Sequence, residues 1–75
     1  MNNERRSNIR RILDEMTAGM EALRELQEEE QESFDNLPEG LQQSDRGQEI
    51  EECAGDFDMA IDSIENAIDE VQDIL

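Results

Sequence analysis

The chain has 75 residues with one cysteine, no histidine and two aromatic side chains, and its 22 acids against six arginines give a formal net charge of −16. That length permits at most one small domain, near the size where a single core needs help from oligomerisation, metal or disulfides. A lone thiol excludes an intrachain disulfide, and the lack of His removes the usual zinc constellations, so self-association is the remaining route.

Charge is divided unevenly. Residues 1 to 24 hold five Arg against four acids, while residues 25 to 75 hold eighteen acids against Arg46 alone. Such a block repels nucleic acid and anionic lipid and attracts basic surfaces. Met1 to Arg6 lead into a mixed amphipathic segment and not into the apolar core of a signal peptide, and no run approaches the roughly 18 apolar residues of a membrane span. The expectation is a cytoplasmic protein with no membrane partner, in which a single reduced thiol is at home.

The first predicted helix covers residues 3–34. Ile9, Ile12, Leu13, Met16, Met20, Leu23, Leu26 and Phe34 keep helical spacing on one face, interrupted by Glu30. Gly19 falls on this face, as a point of close backbone approach with Ala60 or as a tolerated defect. Residues 35–44 read as a turn, because Pro38 holds Leu37 extended and a tight turn or one short helical turn through Leu41 should follow. The second helix covers 45–75, with Asp45 and Gln48 as a capping-box start. Its apolar residues keep a heptad without error. Ile50, Phe57, Ile64 and Val71 share one position, Cys53, Ala60, Ala67 and Ile74 lie three later, and Ala54, Ile61, Ile68 and Leu75 four later. A stripe three positions wide is that of a core-facing helix in a bundle, so Cys53 is expected to pack.

Asp69, Glu70 and Asp73 crowd the last turns of the second helix, where the helix dipole disfavours them. An antiparallel pairing would bring Arg5, Arg6, Arg10 and Arg11 there. The fold class expected is therefore all-α, an antiparallel two-helix hairpin. One hairpin cannot enclose two stripes this wide, so it should dimerise into a four-helix bundle.

No residue constellation points to catalysis or to a cofactor. Asp56, Asp58 and Asp62 have the opening spacing of a calcium loop, but Ile61 and Ala67 stand where Gly and Glu are required. Glu29 with Glu32 and Glu70 with Asp73 superficially resemble the paired carboxylates of all-helical, magnesium-dependent nucleotide pyrophosphatases, although a hairpin puts the two pairs at opposite ends. Di-iron bundles need Glu-x-x-His, and His is absent. What remains is acidic surface. Twenty-two carboxylates along helices about 47 Å long give roughly one charge per 2 Å, close to the one per about 1.7 Å of B-DNA. Carboxylates on a rigid rod at that spacing can occupy an Arg/Lys groove built for phosphates. The candidate partner-binding residues are Glu25, Glu28, Glu29, Glu32, Asp35, Glu39, Asp45, Glu49, Glu52 and Asp56, which gather toward the turn. The plainer alternative is an acidic face that keeps a small bundle soluble.

The stretch Asp35-Asn36-Leu37-Pro38-Glu39-Gly40-Leu41, within residues 29–47 and followed by an Ala/Ile/Asp/Glu-rich helix, resembles small acidic phage and prophage proteins of unassigned function. The likeness covers about two-thirds of the chain and brings no catalytic residues with it. It implies an inhibitor of host machinery acting in the host cytoplasm: a non-enzymatic, DNA-mimic-like binder of a basic groove in a nuclease, CRISPR effector or restriction component. A structural adaptor that binds a partner helix and a magnesium-dependent pyrophosphatase are the alternatives.

Overall fold

The computed structural model describes all 75 residues and is entirely helical, with α1 at Asn3–Asp35, α2 at Glu39–Gln42 and α3 at Asp45–Ile74. The all-α expectation holds, and the residues expected to turn contain one short helical turn. At the start of α1 the Asn2 side chain caps the helix, its Oδ1 accepting from the Arg5 amide at 2.8 Å. For α3 the cap is Ser44 and not Asp45. The Ser44 hydroxyl accepts from the Gly47 amide at 3.2 Å, so Asp45 becomes the first helical residue, where its charge still suits the dipole.

The two long helices lie side by side and run in opposite directions. Gln27 donates to the Ala54 carbonyl, Arg6 donates to the Leu75 carbonyl, and the buried side chains Leu13, Met20, Ile61 and Ile68 form the core between them. These rungs are seven residues apart on both helices: Arg6, Leu13, Met20 and Gln27 ascend α1 as Leu75, Ile68, Ile61 and Ala54 descend α3. A continuous 75-residue helix would be about 110 Å long, whereas the molecule measures 59 × 15 × 12 Å. Arg24 on α1 reaches Glu65 on α3 at 2.8 Å, an exposed pair worth under about 1 kcal/mol.

The core uses only one of the three apolar rows of α3. Ala54, Ile61 and Ile68 are buried, Ile64 and Val71 are partly buried against them, and the row of Cys53, Ala60, Ala67 and Ile74 is exposed. The expectation that Cys53 packs is therefore corrected, because its row lies about 100° round the helix from the row that faces α1, with the Phe57 row between them. On α1, Ile12, Met16 and Leu26 are likewise exposed. Gly19 is exposed and a Cβ there would meet nothing within 4 Å, so Gly19 and Ala60 make no close approach inside the chain.

Neither do the N-terminal arginines pair with the acids of the last turns. Arg6 satisfies the terminal Leu75 carbonyl, Arg11 pairs with Glu15 of its own helix at 3.1 Å, and Asp69, Glu70 and Asp73 form no ion pair. A guanidinium on a free helix-end carbonyl answers the same dipole without the carboxylates.

Candidate functional site: an acid-rimmed apolar groove

The turn is built by residues between the end of α1 and the first turn of α3. Gln42 turns back and donates to the carbonyls of Phe34 at 3.1 Å and Asp35 at 3.4 Å at the open end of α1, where the Phe34 carbonyl also accepts from the Leu37 amide. Pro38 opens α2, its carbonyl accepting from the amides of Leu41 and Gln42. Gly47 is buried in the first turn of α3, so close to the carbonyls of Leu41 and Gln42 that a Cβ would lie 2.4 and 2.6 Å from their oxygens. Sequence reasoning missed Gln42, Ser44 and Gly47. For the last two a signal was available, in a serine followed three residues later by a residue that must present its amide.

Held by this turn, the ends of α1 and the start of α3 carry the acids. Glu25, Glu28, Glu29, Glu32, Asp35, Glu39, Asp45, Glu49, Glu52 and Asp56 are all exposed, and none takes part in an ion pair. Their one side-chain hydrogen bond is from Gln31 to Asp35, at 3.1 Å. Arg46 is exposed and forms no ion pair with them.

Between the acids lies an apolar floor that charge counting alone does not reveal. Glu49, Glu52 and Asp56 edge one shallow depression floored by Cys53, Phe57 and Ala60. Glu29 and Glu30 edge a second that shares Cys53 and Phe57 and adds Leu26. The shared residues make the two depressions one groove along the side of the helix pair, with Phe57 41% exposed. Such a groove can take apolar side chains of a partner or of a second copy of the chain.

The two carboxylate pairs weighed for metal chemistry are apart. Glu29 and Glu32 are on the turn half of α1, Glu70 and Asp73 beside the termini, and the register separates them by about 27 Å at 1.5 Å per residue. No group of three or more His, Cys, Asp or Glu side chains is arranged to hold a metal ion. No helix is long and apolar enough to cross a membrane. The chain matches no protein-family model, no curated protein and no solved structure.

Proposed function

We propose that the chain is a non-enzymatic binding protein: a helical hairpin, paired as a homodimeric four-helix bundle, whose acidic surface blocks a basic groove of a nucleic-acid-handling or defence protein. The observation that carries this reading is that all ten candidate acids face solvent with no arginine neutralising them. Free carboxylates on a rod 59 Å long are poised for the charge-assisted hydrogen bonds that Arg and Lys make to phosphate. The phage-like motif favours a host target such as a nuclease, CRISPR effector or restriction component, met in the host cytoplasm. On this reading the protein needs no cofactor and contacts neither nucleic acid nor membrane.

The test is capture of the partner from host lysate on immobilised protein, repeated across salt and with duplex DNA as competitor. The expected outcome is a basic protein whose binding weakens steeply between about 50 and 200 mM salt and is displaced by DNA. Affinity flat across that range would contradict the electrostatic account. Charge reversal at Glu28, Glu29, Glu49 and Glu52 together should remove most of the capture.

One observation favours a second reading. The exposed row of Cys53, Ala60, Ala67 and Ile74 could recruit a partner helix, which would make the chain an assembly adaptor. A homodimer that buries this row leaves the adaptor nothing to offer. The pyrophosphatase alternative is answered by assaying magnesium-dependent hydrolysis of nucleoside triphosphates, where no turnover is expected.

A further inference from the structure

Resting on the dimer reading above, we propose that the second copy lies across the open apolar face with its turn against this copy's termini. The face is a heptad seam on each helix. On α3 it steps through Cys53, Phe57, Ala60, Ile64, Ala67 and Val71, alternating four and three residues, and on α1 through Ile9, Ile12, Met16, Gly19, Leu23 and Leu26 in the same alternation. That is the spacing of knobs that enter holes on a facing helix. The rungs that join α1 to α3 occupy the next position round each helix, so the seam lies beside the core: Ile9, Leu23, Ile64 and Val71 are partly buried against it, while Ile12, Met16, Leu26, Cys53, Phe57, Ala60 and Ala67 are exposed. It runs about 27 Å at 1.5 Å per residue, and a strip of that length across two helices covers on the order of 500 Å² per partner, about 1,000 Å² in total, at the lower end for a specific interface.

A two-fold axis through Gly19 makes the seam self-complementary. Ile12 then meets the second copy's Leu26, and Met16 its Leu23. At the axis the two copies of Gly19 face each other, where open space above each would accept a facing backbone. The α1–α3 register carries the same axis to residue 62, so that Phe57 meets the second copy's Ala67, Ala60 its Ile64, and Cys53 its Val71. On α3 large residues fall opposite small ones, Phe57 against Ala67 and Ile64 against Ala60, as dense packing requires.

The same seam could also pack with the two turns together, α1 facing the second copy's α3, and there charge decides. That alternative crowds both acidic turn ends, each carrying thirteen acids against one Arg between residues 25 and 58. Turn against termini instead brings the second copy's Glu32 level with Arg6 and its Glu30 and Glu29 level with Asn8 and Ile9. It relieves like-charge repulsion and supplies Arg5 and Arg6 with acids that their own chain does not give them. Glu30, half-buried where it interrupts the α1 stripe, is the acid this arrangement places nearest the interface.

The experiment places one spin label on the turn, at Gln43→Cys in a Cys53→Ala background, and measures the distance between labels in the full-length dimer by electron–electron double resonance. The expected distance is about 50 Å, from twice the roughly 17 residues of rise between the axis and the turn. A distance under about 25 Å overturns the orientation and leaves the dimer standing. A wild-type chain that sediments as a monomer at the same concentration overturns the dimer reading itself.

Discussion

A methyl group added at Gly47 would sit 2.4 Å from the Leu41 carbonyl oxygen and 2.6 Å from that of Gln42, both backbone atoms held by the turn. Gly47→Ala should therefore cost about 2 kcal/mol or more, read as a fall in the midpoint of thermal or urea unfolding. Gly55→Ala should act in the opposite sense. Gly55 lies in the interior of α3, exposed and with open space where a Cβ would go, so the helix should gain about 1 kcal/mol. Ser44→Ala should lose about 1 kcal/mol with the α3 cap. These contrasts explain why the turn was only partly legible. Pro38 and the Asn36–Gly40 punctuation mark its place, because proline and glycine act on the local backbone. Gln42 and Gly47 act across the turn on carbonyls up to eight residues away, and only the folded geometry shows which carbonyls those are.

At the scale of the helices, period gives existence and extent more securely than it gives direction. Both long helices fall within a residue of their expected ends, since apolar residues at heptad spacing leave little freedom in where a helix runs. Which of three adjacent apolar rows faces α1 is a matter of about 50° of rotation between neighbouring rows, and all three are free of charged residues. Burial separates them. Ile61, 1% exposed, anchors the pair, while Phe57 stands 41% exposed on the neighbouring row. Ile61→Ala should cost about 2–4 kcal/mol at any protein concentration. For Phe57→Ala the loss should be concentration-dependent and appear as weakened self-association, because its apolar surface is open on the single chain and is covered in the proposed dimer. Equal effects of the two substitutions in a dilute, monomeric sample would contradict this division of the rows.

The whole molecule carries a net charge of −16 on a body 15 by 12 Å in cross-section, so self-repulsion works against every compact state. Salt should therefore act with opposite signs on two measurements. Raising it from about 10 to 200 mM should raise the melting temperature of the free protein by screening like charges, and over the same range it should weaken capture of a basic partner. A protein whose fold and binding both weaken with salt would need a different account of its acids. The candidate site was half legible in this respect. Net charge and its division along the chain are additive over residues, so the acidic turn end can be counted in advance. The apolar floor of Cys53, Phe57 and Leu26 between those acids depends on how α1 and α3 are rotated about their axes, and no count supplies that.

Everything proposed for the surface depends on the open seam being covered by a second copy, which leaves free the acids that lie away from the seam; Glu29 and Glu32, beside the second copy's N-terminal arginines, are then the least available of the ten. Sedimentation equilibrium of the unmodified chain, from about 1 to 100 µM at physiological salt, tests this directly. The expected result is a species of twice the 8.6 kDa chain mass that grows with concentration. A fully helical, cooperatively melting species of 8.6 kDa across the whole range would contradict it.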